Sequence, residues 1–156
     1  MRAMQIVELG MPLQMNEVET PTPAVGEVLV RVHTCGLNFG DLLIIQGTYQ
    51  EKPQLPATIG MEICGTITAL GEGVNHLHVG QKIGAYSGFG GLADYAAIPA
   101  DICVPLPDDM NTVDAAAFLI AYGTSHVGLG YKAHLLPGER LLVLGASGGV
   151  GLTAVE

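Results

Sequence analysis

Glycines divide the first two thirds of the chain into short segments that are rich in Val, Ile and Thr. Glycine permits tight turns, and these β-branched residues favour extended backbone, so the pattern predicts short strands joined by turns. The clearest case is the segment around Val28, Val30 and Val32, whose period of two places the three valines on one face of a strand. The predicted strands are Ala3–Val7, Leu13–Val18, Val28–Thr34, Ile63–Leu70, Lys82–Tyr86, Ala93–Ile98 and Ile102–Pro105.

Helical spacing appears in a few places. Asn38–Gln46 has apolar residues at helical intervals, and an alanine-rich segment follows a possible N-cap at Asn111 or Thr112. A further helix is predicted from about Tyr122 to His134. The predicted fold class is therefore mainly β with some α, in the form of a partly open β-barrel, followed by the start of an α/β domain.

That α/β start is predicted from the last residues of the chain. Arg140–Leu144 is apolar after its first residue, as in a strand buried on both faces of a parallel sheet, and a glycine turn and a helix start follow. Compared with the G-x-G-x-x-G pattern, the three glycine positions are Ala146, Gly148 and Gly151. The amides of 147–150 would then face a phosphate, although an ordinary glycine-rich turn remains the alternative.

These features make only the first half of a βαβ unit, so we expect a truncated chain in which Arg140–Leu144 lacks a neighbouring strand. The residue that would read the ribose is expected beyond Glu156, so NAD and NADP are not distinguished. The residues predicted to bind the cofactor are Ala146, Ser147, Gly148, Gly149, Val150 and Gly151.

Composition excludes several classes of function. The net charge of −9 and the six Lys and Arg residues argue against nucleic acid or an anionic membrane as a partner. The apolar runs are far too short to span a membrane, and the N-terminus lacks the features of a signal peptide, so a cytoplasmic location is expected. Cys35, Cys64 and Cys103 are widely spaced, which argues against both a disulfide framework and a compact cysteine zinc site.

Several segments together resemble the zinc-independent quinone oxidoreductase branch of the medium-chain dehydrogenase/reductase superfamily, and they occur in family order. They are Gly36-Leu37-Asn38-Phe39-Gly40-Asp41, Gly47-Thr48-Tyr49, 55–65, Gly71-Glu72-Gly73-Val74, Val79-Gly80-Gln81-Lys82-Ile83, 90–95, Tyr122-Gly123-Thr124-Ser125 and 145–151. The resemblance implies a GroES-like catalytic domain at 1–110, a helical connection at 111–139 and the start of a Rossmann domain at 140–156. It also implies a full-length chain about twice as long and a homodimer.

The resemblance also bears on metal binding. Zinc alcohol dehydrogenases of this superfamily have Cys where this chain has Asn38 and His where it has Met61. Asn is a poor zinc ligand and a thioether suits copper better, so no zinc is expected. His76 and His78 form an H-x-H pair, which we interpret as part of a solvated loop.

Without zinc, the chemistry implied by the family is hydride transfer from NADPH, with NAD not excluded, to a quinone or an activated enone. Asn38, Tyr49 and Thr124 are the implied catalytic residues. Asn38 would bond the nicotinamide carboxamide or the acceptor oxygen, Tyr49 would donate a proton or a hydrogen bond to the developing oxyanion, and Thr124 would hold the nicotinamide. Each has a simpler alternative, as a helix cap, a loop aromatic or a hydroxyl bonded to a helix carbonyl.

Two other functions stay open. One is an enoyl-thioester or enone reductase of the same superfamily, and the other is a non-catalytic binding or scaffold protein built on the GroES-like fold. If the protein is an NADPH-dependent quinone reductase, this fragment by itself is expected to be inactive, because most of the dinucleotide site lies elsewhere.

Overall fold

A computed structural model describes residues 1–156. The chain forms eight strands, which are β1 (Arg2–Ile6), β2 (Gln14–Glu17), β3 (Glu27–Gly36), β4 (Ala57–Thr58), β5 (Glu62–Leu70), β6 (Lys82–Tyr86), β7 (Tyr95–Pro99) and β8 (Cys103–Pro105). The α-helices are α1 (Phe39–Ile45), α2 (Thr112–Ala116), α3 (Phe118–His126) and α4 (Gly149–Val155). A 3₁₀ turn at Ala100–Ile102 and a π-helix at Val127–Lys132 complete the elements.

The larger sheet has the order β7-β3-β5-β6-β8, with all neighbours antiparallel. Val28 and Val30 on β3 are fully buried, as their alternating pattern predicts, and they pack in a core with Ile63 and Ile67 of β5 and Ile83 of β6. Register shifts in the β3–β5 pairing bend β3 towards its end at Gly36. Strand β3 ends at Gly36, directly before the loop that carries the candidate site.

The smaller sheet has the order β2-β1-β4. A single bridge between Ala3 and Ala93 connects β1 to the segment that precedes β7. The sheets are open and do not close into a barrel, so the predicted fold class, mainly β with helices and a partly open barrel, is confirmed. Strand β4 was not predicted, because two residues are too few to show any alternation.

Helix α2 covers one face of the larger sheet. It starts after Asn111, whose side chain accepts a hydrogen bond of 2.7 Å from the Val113 amide, as the N-cap prediction requires. Ala115 and Ala116 pack against the buried Cys64 of β5. Lys82 holds the preceding turn, because its ammonium group donates to the carbonyl oxygens of residues 108 and 110 at 2.6 and 2.8 Å.

The chain divides into two compact units, Met1–Ala117 and Phe118–Glu156. In the second unit, the Ser125 hydroxyl lies 2.7 Å from the Thr153 hydroxyl and donates to the Val150 carbonyl at 2.9 Å, which joins α3 to α4. Ser125 is buried, whereas the apolar residues around it are at least partly exposed. The domain boundaries given above remain predictions. None of the helices is long and apolar enough to cross a bilayer.

Two predicted elements of the second unit are corrected. Arg140–Leu144 is not a strand but an irregular, largely exposed segment, because a strand requires a hydrogen-bonded neighbour and none lies beside it in this chain. The helix predicted from Tyr122 begins earlier, at Phe118, and continues as a π-helix to Lys132. Stacking of the Phe118 and Tyr122 rings, 4.9 Å between centroids, accompanies the earlier start.

Candidate active site around Asn38

Asn38 lies where β3 gives way to α1. Its backbone is extended, with φ −118° and ψ 158°, and it occupies the N-cap position of the helix. Its side-chain amide nitrogen lies 3.5 Å from the Glu62 carboxylate, at the outer limit of a hydrogen bond. The two interpretations of Asn38 are therefore compatible: the residue occupies the cap position while its side chain faces the first residue of β5.

Glu62 is buried, with 1% of its surface exposed. It lies opposite Gly36 of β3 and Tyr86 of β6 in the antiparallel register. A Cβ atom at Gly36 would lie 3.2 Å from the Glu62 Oε2 atom, so the carboxylate is directed towards the end of β3. Glu62 was not predicted as a site residue. It directly follows Met61, which stands where zinc alcohol dehydrogenases of this superfamily have His.

Tyr49 follows α1 and lies next to its first turn. A Cβ atom at Gly40 would be 2.8 Å from the Met61 sulfur and 3.6 Å from the Tyr49 ring, so both side chains border Gly40. Burial raises the pKa of the Tyr86 hydroxyl, and the neighbouring Tyr49 and Glu51 raise it further. The structure thus places Tyr49 near the Asn38 helix and adds Tyr86, which sequence reasoning treated only as a strand end.

Thr124, the third predicted catalytic residue, is exposed on α3 in the second unit. Its neighbour Ser125 makes the hydrogen bonds that join α3 to α4. The proposed contact of Thr124 with a nicotinamide stays a prediction.

The glycine turn, residues 145–151, has the local geometry of a close-packed turn. Gly145 has φ +71° and its carbonyl oxygen accepts a hydrogen bond of 3.0 Å from the Gly148 amide. Gly148 is the extended N-cap of α4. A Cβ at Gly151 would lie 2.2 Å from the Gly145 oxygen, so only glycine allows the helix to pack this closely on the turn. A Cβ at Gly149 would meet no atom within 4 Å, so the first turn of α4 faces open space there.

This arrangement is compatible with a bound phosphate. The amides of Gly149 and Val150 lie in the first turn of α4, where no preceding helical carbonyl is available to them. Ala146 and Ser147 lie in the turn itself. No three side chains of the types His, Cys, Asp and Glu come together in the chain in a way that would hold a metal ion.

The family assignment follows from comparison with known proteins. The model of the alcohol dehydrogenase GroES-like domain matches residues 24–108, which is more than half of the chain. The chain belongs to the alcohol dehydrogenase GroES-like family. The matched residues include β3, Asn38, α1 and Glu62, so the candidate site lies within the GroES-like region.

Individual relatives extend the match beyond the GroES-like region. Quinone oxidoreductase-like protein 2 homolog from Nematostella vectensis is 39% identical over 157 residues, which cover 99% of this chain and 43% of that protein. The chain spans about half the length of the curated relatives it matches. The predicted resemblance to quinone oxidoreductases of the medium-chain dehydrogenase/reductase superfamily is confirmed.

Solved structures agree. The human synaptic vesicle membrane protein VAT-1 homolog-like protein superposes with a TM-score of 0.95 at 34% identity, over 98% of this chain and 50% of that one. The quinone oxidoreductase from Thermus thermophilus, whose crystal structures include a complex with NADPH, gives a TM-score of 0.87 at 34% identity, over 99% of this chain and 48% of that one.

One feature of the GroES-like region concerns Cys35 on β3. Its sulfur lies against the backbone of Gly60 and Gly91, where added Cβ atoms would come within 2.7 and 2.9 Å of it. Cys35 also lines an open groove of about 370 Å³ beside β1 and β3. Burial, reinforced by the negative charge of Asp41, raises the pKa of the Cys35 thiol to about 12.

We expect Cys35 to resist alkylation in the folded protein. A rise from 9.0 to about 12 lowers the thiolate fraction at pH 8 about a thousandfold, and the thiolate is the reactive form. Cys103, whose pKa burial raises to about 11, should be protected in the same way. Peptide mapping after timed treatment with iodoacetamide, with guanidinium-unfolded protein as the control, measures both rates.

Labelling of Cys35 at the rate of the unfolded chain would contradict this expectation.

The raised pKa of Cys35 also has a consequence for stability. Because the folded pKa lies above the unfolded value of 9.0, the stability that the neutral thiol contributes is complete below about pH 9 and is lost as pH rises towards about 12.

Proposed function

We propose that the full-length protein containing this chain is a quinone oxidoreductase-like enzyme, which transfers hydride from NADPH to a quinone or an activated enone without zinc. The observation that carries the proposal is the GroES-like site in which Asn38 faces a buried Glu62, in a chain whose relatives are named quinone oxidoreductases. A polar amide at this position binds and orients an oxygen atom, and this is what a carbonyl acceptor needs.

Asn38 is the proposed ligand of the acceptor oxygen. Its amide has two N–H groups, and Glu62 lies within reach of one of them at 3.5 Å. The buried carboxylate faces one N–H of the amide, and the second N–H would donate to the acceptor carbonyl. As negative charge grows on that oxygen during reduction, a fixed donor stabilises it more than it stabilises the neutral acceptor.

Tyr49 is proposed to donate a hydrogen bond or a proton to the same oxygen. The tyrosine borders Gly40, two residues after Asn38, and lies close to Tyr86. A phenol hydroxyl can donate a hydrogen bond or a proton to an oxygen atom that gains negative charge during reduction. Thr124 is proposed to hold the nicotinamide, as the family resemblance implies.

The glycine turn is proposed to hold the pyrophosphate of NADPH. When bound, the dinucleotide would supply the hydride. The amides of 147–150 would bind phosphate oxygens at the positive end of α4, while Ala146 and Gly151 keep the turn and the helix close together. We also propose that this 156-residue chain by itself is inactive, because a phosphate cradle is only one part of a dinucleotide site.

Zinc is not part of the proposed mechanism. Asn38 and Met61 stand where zinc-dependent relatives of the superfamily have Cys and His, and neither side chain is a good zinc ligand. Met61 is 4% exposed, and its thioether borders Gly40, which is the packing role of a core methionine. A homodimer, a cytoplasmic location and no nucleic-acid or membrane partner are parts of the same proposal.

The test uses the purified full-length protein with NADPH and three classes of substrate. We expect oxidation of NADPH with a quinone or an activated enone, and no reduction of NADP⁺ with ethanol. Elemental analysis without a chelator is expected to find no stoichiometric zinc. Rapid ethanol oxidation together with bound zinc would refute the proposal, while turnover of an enoyl thioester alone would favour the enoyl reductase alternative.

A further inference from the structure

Asp41 is a buried carboxylate that joins two separate segments of the GroES-like region. It is 2% exposed. Its Oδ2 atom accepts a hydrogen bond of 2.8 Å from the Asn38 backbone N–H, and its Oδ1 atom accepts one of 3.1 Å from the Gly60 backbone N–H. Each oxygen therefore holds a different segment: one carries Asn38, and the other leads directly into Met61 and Glu62.

The backbone at Gly60 has little room to move. Gly60 has φ +103°, and a Cβ there would lie 2.6 Å from the Leu92 nitrogen, so this backbone is tightly enclosed. Hydrogen bonds to a carboxylate are stronger than those between neutral groups, and a buried N–H that loses its acceptor is destabilising. The Asp41 carboxylate therefore adds a second connection between the Asn38 and Gly60 segments, besides the β3–β5 pairing that places Gly36 opposite Glu62.

A second Asn-x-x-Asp sequence in the chain separates this role from ordinary helix capping. Asn111 and Asp114 have the same spacing at the start of α2 as Asn38 and Asp41 have at the start of α1. Asp114, however, is exposed. An aspartate in the third position of a helix is thus present in both places, and only Asp41 also reaches a distant backbone amide.

We propose that Asp41 is a positioning residue, which fixes Asn38 against Glu62 by bonding the backbone N–H groups of Asn38 and Gly60. The effect of this positioning on turnover rests on the proposed reductase function. Asp41 itself touches neither acceptor nor cofactor in this scheme. It sets the direction in which the Asn38 amide points, and an amide turned away from the acceptor oxygen stabilises the growing negative charge less well.

The first test is independent of activity. In Asp41→Asn, which keeps the shape but replaces one acceptor by an NH₂ group, we expect hydrogen exchange at the Asn38 or Gly60 amide to be at least about tenfold faster. The side-chain amide signals of Asn38 should also shift. The matched control Asp114→Asn is expected to leave the exchange of Asn38 and Gly60 and the Asn38 signals unchanged. Equal behaviour of the two variants would overturn the proposal.

If Asp41→Asn does not fold, the wild-type protein still gives the answer. Couplings through the hydrogen bonds, from the amide nitrogens of Asn38 and Gly60 to the Asp41 carboxyl carbon, should be detectable by NMR. Their absence for both amides, with couplings across neighbouring β3–β5 bonds present, would overturn the proposal.

The second test measures turnover of the full-length protein. We expect Asp41→Asn to lower kcat about tenfold or more with the KM for NADPH unchanged, Asp41→Glu to lie between this variant and wild type, and Asp114→Asn to match wild type. Unchanged kcat in Asp41→Asn would refute the catalytic consequence. Wild-type protein without reductase activity would refute the proposed function instead, and the exchange experiment would still decide whether Asp41 holds the two segments.

Discussion

Replacing Gly36 by alanine is expected to lower the free energy of unfolding by about 3 kcal/mol, which is at the upper end for an overpacked site. The new Cβ would lie 2.2 Å from the Ala116 carbonyl oxygen and 3.2 Å from the Glu62 carboxylate. The overlap involves the backbone of β3 and the backbone of α2, and both are held by other hydrogen bonds. Rotation of a side chain therefore cannot relieve it. The helix would have to move away from the sheet, and the buried Cys64 that it covers would become exposed.

Urea unfolding followed by far-UV circular dichroism measures this change, since the chain has no tryptophan. The control is Gly73→Ala, where a Cβ would meet no atom within 4 Å but the backbone has φ +84°. An alanine in this left-handed conformation should lower the unfolding free energy by only about 1 kcal/mol. Similar losses in the two variants would show that the close approach of Ala116 is not what makes Gly36 necessary.

Elements with a clear local pattern were predictable. The alternating valines of β3 specify which face is buried, because residues two apart share a side of a strand. Lys82–Tyr86 was also predicted with the observed bounds, and the observed N-cap, Asn111, is one of the two that the sequence allowed. In these cases, the residues that determine the element lie within it, so no tertiary information was needed.

Other elements depend on distant partners and could not be read from the sequence. Ala57–Thr58 is a strand only because it pairs with β1, and Arg140–Leu144 has an apolar pattern but no partner strand in this chain. Sequence alone does not specify what lies beside a segment. The apolar pattern of Arg140–Leu144 predicted a strand buried on both faces, whereas the segment is irregular and largely exposed because no neighbouring strand offers it hydrogen bonds.

The candidate site shows the same division. Asn38 and Tyr49 were predicted from motif resemblance, and the structure places both near the start of α1. The partners that organise them were not predicted: Glu62 is brought to Asn38 by pairing of β3 with β5, and Asp41 reaches Gly60 across 19 positions of sequence. Such contacts depend on how distant segments pair and pack, and a single sequence does not show this.

The second large effect is expected at the glycine turn. In the full-length protein, Gly151→Ala should raise the dissociation constant for NADPH by about a hundredfold, or about 2.7 kcal/mol. The added Cβ would lie 2.2 Å from the Gly145 oxygen and 2.8 Å from the Ala146 Cα, so α4 would have to retreat from the turn. The amides of Gly149 and Val150 would then no longer converge with those of the turn on one phosphate.

Isothermal titration with NADPH tests this, with Gly130→Ala as the matched control. A Cβ at Gly130 meets no atom within 4 Å, and the residue lies in the π-helix, outside the glycine turn. Its binding should match wild type. Because retreat of α4 would also separate Val150 and Thr153 from Ser125, hydrogen exchange of α3 and α4 should accelerate in Gly151→Ala alone. Wild-type affinity for NADPH in Gly151→Ala would show that the dinucleotide is held elsewhere, whereas lost affinity with unchanged exchange would mean that the alanine obstructs the ligand directly and that α4 does not move.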